Sequence, residues 1–231
     1  MPAAARRAGM PSVRRPVVLA AASVGSVLAL VACSAPAPAA ANPGGAVIAT
    51  QPVQGASGGG FNGIVLDQPY PEPAATFTDM AGQPFSFAAA ADRPVVLVFF
   101  GYTNCPDVCS TVLADVASAL RPLDPGTRHR VELVFITTDP DRDTGPVMQA
   151  YLGRFDPTFI GLTAPMAEIQ QVAAGLGVAI TGHDASGAGY TVGHGAQVLG
   201  FGPNRMAGVI WLPGTPVGDL RADVVRLASQ A

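Results

Sequence analysis

The sequence predicts an α/β domain with a central mixed sheet and flanking helices, and two observations support that prediction. Continuous apolar, β-branched runs indicate strands that are buried on both faces of a sheet. Segments with apolar residues four positions apart lie between them and indicate amphipathic helices. The strand patterns cover residues 94–101, 130–139, 157–163 and 206–213, and the helical patterns cover residues 106–121, 145–155, 165–175 and 216–230.

Two hairpins complete the predicted order. Residues 76–87, TFTDMAGQPFSF, contain two short alternating segments around a turn at residues 81–83. A second hairpin is predicted at about residues 189–200, formed by β-like segments at 190–192 and 197–201. An N-terminal β-hairpin, alternating strands and helices and a late hairpin are together typical of a thioredoxin-like fold. We expect one such domain over residues 63–231.

The first 32 residues predict a bacterial lipoprotein signal peptide. Four arginines precede an apolar run at residues 16–31, which leads into LVAC, ending at Cys33. Cleavage before Cys33 would leave its thiol to carry the lipid. A retained transmembrane anchor is the alternative, although the run is short for a membrane span. We therefore expect a domain tethered to a bacterial cell membrane through lipid on Cys33, on the extracytoplasmic side.

The chain beyond Cys33 begins with a segment that predicts a flexible tether. Residues 34–62 are rich in alanine, proline and glycine and carry no charge, so they bury too little apolar surface to fold alone. The whole part beyond Cys33 holds nine arginines against 16 acids, a net charge of about −7. This acidic balance argues against a nucleic-acid partner, which would need a basic surface.

Two of the three cysteines lie in NCPDVC, just after the predicted strand 94–101. Proline is favoured at the first helical position, so Pro106 predicts Cys105 as the helix N-cap and Cys109 one turn further, on the same face. A helix N-terminus lowers the pKa of a thiol and favours thiolate. Thiolates suit disulfide exchange and soft-metal binding alike. A permanent disulfide here would close too small a loop to stabilise the fold much.

A metal site needs a further donor, because two thiolates alone do not complete a zinc or copper site. His129 lies in a charged turn and His183 in a polar loop, so we expect both to be exposed. His194 lies between two β-like segments, and the glycines on either side permit close backbone approach. It is the best candidate of the three histidines. Spacing alone leaves a metal site and a redox pair both open.

Four motifs, in this order, resemble the Sco/SenC family of copper chaperones for cytochrome c oxidase assembly. FFGYTNCPDVC resembles the copper-binding core of that family, and TTDPDRDT resembles its Asp-Pro-x-Arg-Asp-Thr segment. YLGRFDPTFIGLT resembles the following helix and strand, and YTVGHG resembles the Tyr-x-Val-x-His segment. The resemblance covers about residues 62–228. The chain departs from the family pattern at Ser110, where most members have proline, and at Gly193 and Gly195, which replace aspartate and serine.

The resemblance implies a site and a set of partners. Cys105, Cys109 and His194 would bind one copper ion per domain, as Cu(I), Cu(II) or both. The target would be the copper centre of cytochrome c oxidase subunit II, and an upstream copper donor or thiol reductant would act before delivery. Asp139 and Asp141 would either support the site from outside the ligand set or cap a turn and the next helix.

The leading hypothesis is a membrane-tethered copper metallochaperone, a delivery protein rather than a turnover enzyme. The alternative is a thiol–disulfide oxidoreductase that keeps the cysteines of the oxidase reduced, with Cys105 and Cys109 as its redox pair. Enzymes of the thioredoxin type keep a proline just before the penultimate strand. No proline lies between Pro165 and Pro203, and the His194 segment occupies that place, which favours metal. A peroxiredoxin-like peroxidase fits less well, because both thiols lie within one turn.

Overall fold

The computed structural model describes residues 55–56, 60–88, 93–181 and 193–230. The predicted signal peptide, Cys33 and most of the predicted tether lie outside the described residues. His183 and the segment 190–192 also lie outside them. The described residues all belong to one unit, Ile48–Ala231.

Eleven strands occur in the described part of the chain, and nine of them form one mixed sheet. Their bounds are β1 Gly55–Ala56, β2 Ile64–Pro71, β3 Thr76–Asp79, β4 Pro84–Ser86, β5 Val95–Gly101, β6 Val131–Thr137, β7 Ile160–Thr163, β8 Ile180–Thr181, β9 Gly193–His194, β10 Val198–Phe201 and β11 Met206–Trp211. The order in the large sheet is β1-β2-β11-β10-β5-β6-β7-β3-β4, and β8 pairs with β9 in a small second sheet.

The centre of the large sheet is parallel and its flanks are antiparallel, so the predicted mixed sheet is confirmed. Strands β5, β6 and β7 run parallel, and β10 pairs antiparallel with β5. All residues of β5 and β6 are buried, as their continuous apolar runs predict. Alternate residues of a strand point to opposite faces. Val95, Leu97 and Phe99 accordingly join one core cluster, and their neighbours on β5 join the other.

Five helices cover the two faces in the described part of the chain. Their bounds are α1 Val108–Leu120, α2 Pro125–His129, α3 Gly145–Leu152, α4 Met166–Gly175 and α5 Val217–Ala228. Buried side chains of α1, α3 and α5 pack into the first core cluster, and those of α4 pack into the second. The four long helices confirm the sequence prediction. Helix α2 was not predicted, although its Asp124 N-cap and Pro125 are helix-start signals.

The early hairpin is confirmed and the late one is wrong. Strands β3 and β4 pair antiparallel, and Gly82 between them has a positive φ of 78°. In the late segment, however, β9 pairs with β8, whereas β10 pairs with β5 and β11. A strand has only two edges, and β5 and β11 occupy both edges of β10. Strand β9 therefore pairs elsewhere, and His194 stands outside the large sheet.

A buried carboxylate joins the start of β2, the end of β11 and helix α5. Asp223 is 1% exposed. It accepts hydrogen bonds from the indole Nε1 of Trp211 at 2.9 Å and from the backbone N–H of Gly63 at 2.8 Å. The backbone and side-chain amides of Asn62 donate to it as well. Asn62 and Asp223 are 161 positions apart, so this contact joins the first and last parts of the domain.

Candidate metal centre

The three cysteine and histidine side chains singled out from the sequence meet at one place. The ligand atoms of Cys105, Cys109 and His194 all lie within 4.8 Å of one another. Cys109 Sγ and His194 Nε2 are 3.4 Å apart. Within the described ranges this is the one cluster of three or more potential ligand residues with such spacing. It lies where β5 ends and α1 begins, beside the small β8–β9 sheet.

Cys105 lies before helix α1 and not at its N-cap, so that prediction is wrong. The helix begins at Val108, with Asp107 as N-cap. The backbone N–H of Cys105 donates to the carbonyl of Tyr102 at 3.2 Å, which closes a turn directly after β5. Cys105, which the sequence pattern had assigned to the helix N-cap, is instead the last residue of this turn. Cys109 is the second residue of the helix, and its side chain is fully buried.

Burial raises the pKa of the Cys109 thiol well above its usual range. The hydrogen bond between the two cysteines raises the pKa further, and a backbone hydrogen bond at Tyr102 opposes the rise. The prediction that the helix N-terminus lowers the thiol pKa is therefore wrong for Cys109, because desolvation of the thiolate outweighs the helix dipole. Without metal, Cys109 keeps its proton at neutral pH. A bound soft cation would displace that proton.

This difference in environment predicts unequal alkylation of the two thiols in the reduced, metal-free protein. We expect iodoacetamide at pH 7.5 to modify half-buried Cys105 at least about ten times faster than Cys109, since each pKa unit above solution pH lowers the thiolate fraction about tenfold. Peptide mass spectrometry over time measures both rates. The Cys109 rate should keep rising with pH after an ordinary thiol has ionised. Equal rates in the folded protein, matching those in urea, would contradict this assignment.

The imidazole of His194 presents Nε2 to the thiols. Its Nδ1 lies 3.1 Å from the carbonyl oxygen of Gly195, and since a carbonyl only accepts, Nδ1 carries the proton and donates. This leaves the lone pair of Nε2 facing Cys109 Sγ. A histidine that binds metal commonly donates its other N–H to such a carbonyl. Burial also lowers the pKa of His194, which keeps the ring neutral, the form that binds metal.

The backbone around His194 is hydrogen-bonded to β8 and to the residue before it. Ile180 pairs with His194 in the β8–β9 sheet, and the backbone N–H of Gly195 donates to the carbonyl of Ala179 at 2.9 Å. The imidazole packs edge-on against the rings of Phe99 and Tyr102, with centroids 6.2 and 6.0 Å away. These backbone hydrogen bonds and ring contacts therefore hold His194 in place.

A third acid of the DPDRD motif supports the cysteine turn, a role that no local sequence signal indicates. Asp143 is fully buried and accepts hydrogen bonds from the backbone N–H and the hydroxyl of Thr103, at 3.0 and 2.6 Å. The hydroxyl of Thr137 donates to it at 2.6 Å. Burial raises the pKa of Asp143, and these donors oppose the rise. Because Thr103 is two residues before Cys105, Asp143 fixes the start of the turn.

The two acids named from the sequence lie in different surroundings. Asp139 is fully buried and forms an ion pair with Arg142 at 2.5 Å. Asp141 is exposed. Neither belongs to the cluster of potential metal ligands. His129 is exposed at the end of α2, as expected.

The donor set defines the chemistry that the site can support. Two sulfurs and one imidazole nitrogen form a soft, low-coordinate set that fits Cu(I), and imidazole also binds Cu(II) well. Cys105 and His194 are partly exposed, whereas Cys109 is buried at the base of the site. A metal ion could therefore enter and leave from the side of Cys105 and His194.

Comparison with known proteins agrees with this arrangement. The sequence profile of the SCO1/SenC family matches residues 71–229. The chain belongs to the SCO1/SenC family. The family resemblance and the thioredoxin-like α/β fold predicted from the sequence are both confirmed.

Two solved structures and two sequences show the degree of similarity. ScoI from Bradyrhizobium japonicum with copper bound is 30% identical, has a TM-score of 0.54, and the match covers 69% of this chain and 98% of that one. Apo Sco1 from Thermus thermophilus is 29% identical, with a TM-score of 0.60 and coverage of 74% and 97%. A Stutzerimonas stutzeri protein named for copper binding is 34% identical over 62% of this chain and 70% of its own length. An SCO2-like protein from Rickettsia felis is 42% identical over 33% of this chain, and the match spans 37% of that protein.

The described residues include no helix that combines the length and the apolar character needed to span a bilayer.

Proposed function

We propose that this protein is a copper metallochaperone that binds one copper ion through Cys105, Cys109 and His194. The observation that carries the proposal is the convergence of two sulfurs and one imidazole nitrogen within 4.8 Å. No single element builds this cluster, since the turn after β5, helix α1 and strand β9 each provide one donor. The copper ion is the cargo, and the partly open side of the site serves its exchange.

Similar proteins support copper as the metal and the oxidase as the destination. The ScoI structures from Bradyrhizobium japonicum and Arabidopsis thaliana, 30% and 25% identical, were solved with copper bound. A structure with the same fold at 18% identity comes from BsSco, which is described as a member of a family of cytochrome c oxidase assembly proteins. We therefore propose that this protein delivers copper to, or prepares, the copper centre of oxidase subunit II.

We further propose that the domain is tethered to a bacterial cell membrane, on its extracytoplasmic side, through lipid on Cys33. The arginine-rich start, the apolar run and LVAC support this placement. Thiols outside the cytoplasm oxidise unless they are kept reduced or bound to metal. The proposal therefore includes a thiol reductant or a copper donor as an upstream partner.

A redox role is the second candidate, and the short distance between the two cysteine sulfurs, within 4.8 Å, favours it. The two side chains also share a hydrogen bond, which contributes to the raised pKa of Cys109. They could reduce a disulfide in the oxidase by transferring two electrons and forming a Cys105–Cys109 disulfide. The same oxidation would remove both sulfur ligands, so the two roles exclude each other at any one moment.

A titration of the full chain in detergent, reduced and kept free of oxygen, tests the proposal. We expect one copper per chain, and we expect His194→Ala to weaken Cu(II) binding at least about tenfold, with a smaller effect on Cu(I), because the soft thiolates remain. Competition with chelators of known affinity measures both constants. His129→Ala, at an exposed histidine, is the matched control.

Two results would overturn the assignment. If His194→Ala binds both oxidation states as tightly as the unmodified protein, the three-ligand site is wrong. If copper binding is weak throughout while the protein reduces a disulfide substrate with turnover, the oxidoreductase function replaces the chaperone function.

A further inference from the structure

The orientation of the His194 ring depends on the peptide of the next residue. His194 Nδ1 donates to the carbonyl of Gly195, and this bond turns Nε2 towards Cys109 Sγ, 3.4 Å away. A rotation of the Gly195 peptide would move the acceptor and release the ring. Whatever holds Gly195 in place therefore holds the nitrogen donor of the site.

Gly195 has close neighbours on two sides. Its N–H donates to the carbonyl of Ala179 at 2.9 Å. On the other side lies the amide of Gln197, whose Oε1 occupies the space that a side chain at position 195 would need, well inside 3.0 Å of an ideal Cβ. Gln197 is 9% exposed, and its Nε2 donates to the carbonyl of Gly177 at 3.2 Å. A carbonyl accepts only, so this bond fixes which end of the amide faces Gly195.

We propose that Gln197 is a positioning residue for His194 and acts through Gly195, an inference that rests on the proposed copper site. Three contacts join residues 177–180 to residues 194–197. They are the hydrogen bond from Gln197 to Gly177, the hydrogen bond from Gly195 to Ala179, and the strand pairing of Ile180 with His194. Glycine at position 195 leaves room for the glutamine amide. A side chain there and the amide of Gln197 therefore compete for one space.

Two single variants disturb the same contact from opposite sides. Gln197→Ala removes the amide, and Gly195→Ala displaces it with a methyl group. The displaced group is the far end of a flexible side chain, and the backbone of Gly195 has no positive φ, so we expect Gly195→Ala to fold normally. Each variant should lower Cu(II) affinity about tenfold, as is usual for residues that orient a metal-binding histidine. The double variant should lose no more than either single one, because both act on one contact.

A metal-free measurement separates positioning from general packing. In the reduced, metal-free full chain, long-range proton–nitrogen NMR spectra of the His194 ring should show the proton on Nδ1. We expect Gln197→Ala and Gly195→Ala to shift the ring towards a mixture of tautomers with little change in unfolding free energy. Gln171→Ala, at an exposed glutamine of α4, is the matched control and should leave the tautomer and the copper affinity unchanged.

The outcomes keep this inference distinct from the copper assignment. Unchanged tautomer and unchanged Cu(II) affinity in both single variants would show that Gln197 has no positioning role. Additive losses, about a hundredfold in the double variant, would also overturn it, since the two residues would then act independently. If the unmodified protein binds no copper, the proposed function fails, and the tautomer shift still decides the role of Gln197. If Gln197→Ala does not fold, Gly195→Ala provides the same readout.

Discussion

Replacing Asp223 by alanine is expected to lower the free energy of unfolding by about 3 to 4 kcal/mol. The carboxylate accepts hydrogen bonds from two buried donors, Trp211 Nε1 and the N–H of Gly63, and alanine would leave both without an acceptor. A hydrogen bond to a charged group contributes about 1.5 to 3 kcal/mol, and an unsatisfied buried donor costs a similar amount. Urea unfolding followed by Trp211 fluorescence, with the chain reduced and metal-free, measures the change.

The expected loss of stability is large because Asp223 joins two strands and a helix. It connects the start of β2 and the end of β11 to helix α5, so its loss loosens one end of the sheet together with the helix that covers it. Asp223→Asn keeps one acceptor oxygen and should lose about half as much. Asp67→Ala, at an exposed aspartate of β2, is the matched control. A loss below about 1 kcal/mol for Asp223→Ala would show that the network contributes little.

The parts of the fold that the sequence predicts are those with strong local patterns. The continuous apolar runs of β5 and β6 predict central strands, and both strands are fully buried. The apolar spacing of residues 106–121 predicts a helix. Cys105 follows from its place between strand β5 and this helix, and Cys109 from its place in the first turn of the helix. His194 was one candidate among three histidines on local grounds, and the family resemblance singled it out.

The parts that the sequence misses depend on partners distant in the chain. Asp223 occurs on an ordinary amphipathic helix, and nothing local shows that Asn62 and Trp211 surround it in the fold. The late hairpin was wrong because β5, which is distant in the chain, occupies one edge of β10, and β11, the next strand in the chain, occupies the other. Local propensity cannot report such competition for a strand edge.

The acids of residues 139–143 illustrate the same limit at the site. All three aspartates of this motif look alike in the sequence, yet Asp139 pairs with Arg142, Asp141 is exposed and Asp143 anchors the turn through Thr103. Likewise, the pKa of the Cys109 thiol depends on how much of the core surrounds it, and burial reverses the direction expected from the helix terminus. Burial in the folded domain therefore decides which of the three similar aspartates supports the site and in which direction the thiol pKa shifts.

Replacing either cysteine by serine is expected to weaken Cu(I) binding by at least about a hundredfold. Structural metal sites with four ligands bind with about 10 to 16 kcal/mol, so one ligand contributes on the order of 3 kcal/mol, and 1.4 kcal/mol is a factor of ten. A hydroxyl is also a much harder donor than a thiolate and suits Cu(I) poorly. Competition titrations of the reduced full chain with a Cu(I) chelator measure both variants.

The two cysteine variants should differ in stability, and that difference separates ligand loss from damage to the fold. Cys109 is fully buried among core side chains, so Cys109→Ser places a polar hydroxyl there and should cost about 1 to 3 kcal/mol. Cys105 is only partly buried, in the turn before α1, and Cys105→Ser should leave the unfolding free energy within about 0.5 kcal/mol of the unmodified protein. Equal loss of copper with unequal loss of stability would show that both sulfurs bind the metal and that only one also supports the core. Retention of Cu(I) affinity by Cys105→Ser would instead exclude the turn cysteine as a ligand, because that variant keeps its fold.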